Sequence, residues 1–223
     1  MRFISAIKKI CACLIFLLLG LAQTMSANEE VLVFHYPLYY FSPDKSVNLS
    51  NVQALAAGIE NLLVKRFETV PTKQRGTAKV SGVTYFGEIE DGSLSTVFEQ
   101  KYPAIIIAEA ESAGTVLGNI KETQKVPMVL VFLNVPKVEE GDIPSNIPKV
   151  INIFGLEQPE HFQLSEDEKR HFNIGIKGKQ KVDLFETPNI TLFVRDLLYS
   201  ALIDAIVSSG FQYRAERVPP ERA

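Results

Sequence analysis

The apolar positions of this chain change period several times, and the changes mark its elements. Val31 to Tyr36 (VLVFHY) is a near-continuous apolar run, as expected of a strand buried on both faces of a parallel sheet. Pro37 and Pro43 place a loop after it. A helix is expected to begin near Ser46 to Ser50, because Val52, Leu55, Ala56, Ile59, Leu62, Leu63 and Phe67 recur at three-four spacing. Residues 71–76 (PTKQRG) break it, Val80 to Phe86 alternates as a strand, and Gly92-Ser93 leads into a short helix over 94–101. Ala104 to Ala108 and Pro127 to Leu133 are two further buried strands, joined through a helix expected over 115–125. Strand, helix and strand in that order make a right-handed crossover, which sets both strands parallel in one sheet.

The second half is less regular. Asn134 to Pro148 carries Pro136, Gly141, Pro144 and Pro148 and reads as a surface loop, followed by a fifth strand over 150–154. A short helix is expected from Ser165, with Glu166 and Asp167 suited to its N-terminal dipole. His171 to Glu186 alternates on both sides of Lys177-Gly178-Lys179, which predicts a hairpin or an edge pair. The longest helix follows. Thr187 caps it, Pro188 suits its first turn and Gly210 stops it. Its apolar face comprises Ile190, Phe193, Val194, Leu197, Leu198, Ala201, Leu202, Ala205 and Ile206. The fold expected is α/β: a doubly wound, mostly parallel, Rossmann-like three-layer sheet with a C-terminal hairpin and long helix.

The N-terminus changes where this domain is expected to act. Arg2, Lys8 and Lys9 precede an uncharged apolar run, Ile10 to Leu21, well short of the roughly 20 residues that cross a bilayer. Met25-Ser26-Ala27 then offers a cleavage site, with Gly20-Leu21-Ala22 as an earlier alternative. The expected organisation is an export signal over 1–27, a single α/β domain over 28–213, and a charged tail over 214–223; a permanent N-terminal anchor is the other reading of the apolar run. Both cysteines, Cys11 and Cys13, lie in the signal, ahead of the place a lipid-modified cysteine would occupy. The processed chain then has no disulfide, no thiolate nucleophile and no thiolate metal ligand, and a bacterial periplasm suits it better than a eukaryotic secretory route. Loss of Arg2, Lys8 and Lys9, with no acidic residue removed, takes the formal net charge from −3 to −6. That acidity argues against nucleic acid as a partner, since phosphate binding needs a basic face.

Motifs that would name a chemistry are missing. His35, His161 and His171 fall in no metal-binding spacing, and neither GxGxxG nor GxxxxGK[ST] occurs. Glu111-Ser112-Ala113-Gly114 stands between a strand and a helix, where a hydrolase would carry its serine, but Ala110 replaces the first glycine of that elbow. No cofactor or metal is expected, and an enzymatic role is left open without a nucleophile to carry it. What remains is position. In an open α/β sheet, ligands bind outside the carboxyl ends of the strands, where the winding reverses. The residues expected there are His35, Tyr36, Tyr39 and Tyr40 after the first strand, then Glu109, Glu111, Ser112, Gly114 and Thr115, and then Asn134. His35, Tyr36, Tyr39, Glu109, Ser112, Gly114, Thr115 and Asn134 form the candidate ligand-binding set. Ser112 and Thr115 sit at a helix start whose N–H groups favour an anion or carbonyl. Tyrosines supply flat walls with a polar edge.

Tyr102-Pro-Ala-Ile-Ile-Ile-Ala108, then Ser112-Ala-Gly-Thr115, a helix, and Val126-Pro-Met-Val-Leu-Val-Phe132 resemble one family segment. It is similar to the N-terminal lobe of type I periplasmic substrate-binding proteins of ABC transporters, over residues 31–134. The resemblance implies capture of a small ligand at the turn with Ser112, Gly114 and Thr115, with contacts from His35 and Tyr36. No second crossover lobe follows Phe154, which keeps an alternative open: an envelope accessory module, resembling the N-terminal domain of TolB, that binds other proteins. The expected partner is therefore a small molecule or an envelope protein, met by a processed chain that is soluble in the periplasm.

Overall fold

The computed structural model describes residues 31–43, 47–69, 76–86, 94, 101–120, 126–165, 167, 169–212 and 215–218. The expected export signal lies outside them, as does the short helix expected over 94–101 apart from its two end residues. Among the described residues seven strands form one sheet. Six run parallel: β1 (Val31–Ser42), β2 (Gly76–Phe86), β3 (Ala104–Glu109), β4 (Met128–Leu133), β5 (Lys149–Gly155) and β6 (His171–Ile176). Their order across the sheet is β2-β1-β3-β4-β5-β6. The seventh, β7 (Glu216–Val218), pairs antiparallel with the start of β1, from Val31↔Val218 to Val33↔Glu216. Those three residues fall in the stretch expected to be only a charged tail. The helices are α1 (Leu49–Thr69), α2 (Ser112–Asn119) and α3 (Pro188–Ser209).

Period-two burial explains the layering. Tyr36, Leu38 and Tyr40 of β1, Ile105 and Ile107 of β3, and Val129, Val131 and Leu133 of β4 face one side. There they meet Val52, Leu55, Ile59 and Leu63 of α1 and Val194, Leu198 and Leu202 of α3. Tyr39, Phe41, Ile106, Leu130 and Phe132 face the other side and pack on Ala113, Val116 and Leu117 of α2 and on Ile143, Ile147 and Leu164 from the connections. Each aliphatic side chain so buried contributes roughly 1.5–3 kcal/mol before the entropy of ordering is set against it. Helices on both faces of a mostly parallel sheet make this the doubly wound, Rossmann-like α/β fold that the apolar pattern predicts.

Several local expectations are corrected. β1 does not stop at Tyr36 but runs to Ser42, so Pro37 lies inside a strand. Proline is tolerated because β1 changes partner beside it: β7 pairs up to Val33 and β3 takes over only at Leu38. α2 starts at Ser112 rather than Thr115. Of the stretch after Ser165, the described residues are turns and extended chain, not helix. The hairpin across Lys177–Lys179 does not form either; β6 is an edge strand parallel to β5, and residues 177–187 return as turns through Gly178 at φ 75°. The alternation there is real, but Val182 and Leu184 bury against α1 and α3 instead of pairing in the sheet. On α3, Thr187 and Gly210 cap as expected, whereas Phe193 is exposed.

Burial has a titration consequence at two tyrosines, Tyr85 and, more strongly, Tyr36. It pushes the phenol of Tyr36 well above its ordinary value near 10, because a phenolate among apolar neighbours is poorly solvated. The folded value of Tyr36 then exceeds the unfolded one, so this contribution is complete below pH 10 and is lost as pH rises past it, at up to about 1.4 kcal/mol per unit. Tyr36→Phe should flatten the decline in urea midpoint between pH 9.5 and 11. Equal declines in the two proteins would disprove the assignment.

Candidate functional site

The winding reverses between β1 and β3: α1 carries the chain from β1 outward to β2, whereas β3 starts on the other side of β1. Adjacent strands diverge at such a point, and the space above their carboxyl ends is not filled by a crossover. A cleft of about 290 Å³ opens there. Its floor is Tyr40 near the end of β1 and Glu109 at the end of β3. Val47, Asn48 and Asn51 at the start of α1 form one wall, and Lys181, Val182, Asp183 and Phe185 from the return between β6 and α3 form the other.

Glu109 is the chemical centre. Its side chain is only 6% exposed, and a carboxyl group at such depth needs hydrogen-bond partners. Tyr40 Oη donates to Oε2 at 3.2 Å, Ser42 Oγ donates to the same oxygen at 3.0 Å, and Lys181 Nζ lies 3.0 Å from Oε1. Tyr40 and Ser42 are themselves buried, whereas the Lys181 side chain is 59% exposed. Around them Asn48 Oδ1 caps α1 by accepting from the Ser50 amide at 2.9 Å. Phe185 stacks obliquely on Tyr40, ring centres 6.1 Å apart, and its amide donates to Asp183 Oδ1 at 2.8 Å.

The far wall is held by Asn134, the residue after β4. Its backbone takes φ 53°, a left-handed conformation that asparagine tolerates better than most residues. Its side chain then grips Val182 twice: Nδ2 donates to the Val182 carbonyl and Oδ1 accepts from the Val182 amide, both at 2.8 Å. Thr191 Oγ1 donates to the Leu184 carbonyl at 2.9 Å and ties the same loop to α3. Lys179 and Glu186 close its outer side as an ion pair.

Of the residues singled out in the sequence, Glu109 lines the cleft and Asn134 positions its wall. The others lie elsewhere. His35 and Tyr36 sit in the middle of β1, not after it. His35 Nε2 is 3.0 Å from Glu216 of β7, with its ring tilted on Tyr102. Tyr36 is buried under α1 and α3, and Tyr39 packs with Tyr85 on the α2 side. Ser112, Gly114 and Thr115 belong to α2, also on that side, and none of them lines the cleft. Ala110, not Ser112, carries the left-handed backbone of the turn, at φ 48°. The strain that an elbow places under its nucleophile therefore falls on a side chain with no chemistry. Among the described residues no three His, Asp, Glu or Cys side chains gather as a metal-holding group.

Sequence reasoning missed Ser42, Asn48, Asn51, Lys181, Asp183 and Phe185. Two signals were present: the apolar run of the first strand resumes after Pro37 as LYYF, and NLSN opens a helix with a capping asparagine. The class these features define is a doubly wound α/β domain with a polar switch-point cleft. No family model, curated protein or solved structure matches this chain.

Proposed function

We propose that this chain is an exported domain that binds a small polar ligand in the switch-point cleft, on behalf of a transporter or a sensor. The observation that carries the reading is Glu109: a buried carboxylate, held by three donors, at the floor of an open cleft where the topology favours a ligand. A residue serving only to fill the core would be apolar and would not face open space. Asn48, Asn51 and Asp183 at the rim supply polar contacts, and Phe185 supplies an aromatic wall. Export rests on the N-terminal basic and apolar pattern. The second reading, a protein-binding envelope module, is favoured by Leu192, Phe193 and Val207, which stand exposed on α3.

A melting screen against small polar metabolites separates the two. A ligand present at a hundred times its Kd should raise the melting temperature by roughly 5–10 °C. Asn51→Trp, an exposed helix position, should fill the cleft mouth and erase that shift while leaving the unliganded melting temperature within about 2 °C. A ligand shift that survives Asn51→Trp, or a screen without a hit, would remove the cleft from the account.

A further inference from the structure

We infer that the cleft recognises its ligand through a primary ammonium group, and that Lys181 occupies the ammonium position until the ligand displaces it. This rests on the ligand-binding reading above and narrows it to one chemical class.

The charge balance comes first. Glu109 and Asp183 line the cleft against the single lysine Lys181, so these groups sum to a formal charge of −1 with the lysine in place and −2 without it. The helix start beside them adds little pull on an anion, because Asn48 already accepts the Ser50 amide and hydroxyl through its Oδ1. An anionic ligand would therefore meet two carboxylates and one cation that is already paired.

The asymmetry of the pair comes second. Glu109 is fixed and 6% exposed at its side chain, while Lys181 reaches it from a position 59% exposed. Half of this ion pair is thus built into the floor and the other half reaches it from an exposed position. A buried carboxylate cannot be left without a countercharge, but it does not distinguish which ammonium supplies one. An incoming primary ammonium has the same charge and the same three donors as the lysine head, so exchange conserves the interaction at Oε1. The Lys181 side chain, already 59% exposed, can meet water as it leaves, which offsets part of the lost pairing.

The walls come third. Phe185, in tilted contact with Tyr40, lines the cleft with an aromatic ring suited to a cation or to an apolar body attached to it, and Asp183 adds a second acceptor at the rim. The Asn51 amide completes a lining that suits an amine carrying a compact hydrophobic group. A cleft of about 290 Å³ accommodates a molecule of that kind.

Calorimetric titration of the purified protein with benzylammonium, benzyl alcohol and benzoate tests this, since the three probes share a shape and differ in charge. Benzylammonium alone should bind, and Lys181→Met should tighten it at least tenfold by removing the internal competitor. Asp183→Asn, on the exposed rim, should weaken it severalfold; its melting temperature and that of Lys181→Met report whether each variant is folded, with Lys181→Gln as the substitute if the methionine is not tolerated. Weaker benzylammonium binding in the folded lysine variant would overturn the inference. So would preferential binding of benzoate, which would leave the cleft a ligand site of the opposite charge class. Failure of all three probes would likewise refute it, and the metabolite screen with Asn51→Trp then decides separately whether the cleft binds anything.

Discussion

Gly155→Ala should destabilise the domain by about 3 kcal/mol in urea unfolding, the cost of forcing an atom into a packed site that cannot yield. Gly155 ends β5, and the return loop crosses directly over it. A Cβ there would stand 2.2 Å from the Lys179 carbonyl oxygen, 2.7 Å from its carbon and 2.9 Å from the Gln180 carbonyl carbon. These are backbone atoms, so no side chain can rotate away. The same oxygen accepts from the Glu157 amide at 2.9 Å, and shifting it would break that bond as well. Because the loop goes on to carry Lys181, Val182 and Asp183, the variant should also lose benzylammonium binding. Gly114 is the internal control: a Cβ added there meets nothing within 4 Å, and Gly114→Ala in α2 should be neutral or stabilising by about 0.5–1 kcal/mol. A loss under about 1 kcal/mol for Gly155→Ala would mean that the loop does not rest on β5 as described.

Asn134→Ala should cost a similar amount, about 3 kcal/mol, by a different route. Truncation removes both partners of Val182 and leaves a buried amide and carbonyl unsatisfied, each worth about 1–3 kcal/mol. It also puts alanine at φ 53°, where asparagine is better tolerated. Asn134→Gly separates the terms, since glycine accepts the backbone but still abandons Val182. The glycine variant should recover about 1 kcal/mol of the loss and no more. Hydrogen exchange at the Val182 amide should accelerate in both. If Asn134→Gly restored full stability, the role of Asn134 would be conformational only, and the grip on the cleft wall would be incidental.

Both effects centre on the segment between β6 and α3, and that segment is where the sequence was least readable. The central strands were legible because β3, β4 and β5 are buried on both faces and so carry unbroken apolar runs. The long helix was legible from its caps. Glu109 stands at a strand end that could be located, and it was picked out for that reason, whereas Tyr40 was noted only as following a first strand expected to stop at Tyr36. Pro37 misled the first strand: a proline normally ends a ladder, and only the change of partner from β7 to β3 makes room for one here. The error moved the expected rim back to His35 and Tyr36, several residues from the true end at Ser42. Lys181 and Asp183 were invisible for another reason. Val182 and Leu184 alternate with polar neighbours as a strand would, and nothing local shows that they dock on a sheet end through Asn134, an interaction across 48 residues. Ser112 and Thr115 were expected at the rim from their position after a strand, and the sequence did not show that α2 lies on the face opposite α1 and α3.

The partner change along β1 also sets an order of events. The first described strand is flanked on one side by β3 and, at its start, by β7, the last of the described strands. Until residues 216–218 exist and have returned across the molecule, Val31 to Val33 keep an edge that any other extended chain could occupy. Closing that edge joins the two most distant points of the described sequence, a high-contact-order step that belongs late in folding. The His35–Glu216 pair sits at this seam and would form with it. Val31 and Val218 thus lie within one ladder spacing of each other, close enough for a short linker to join them and for the chain to be reopened elsewhere.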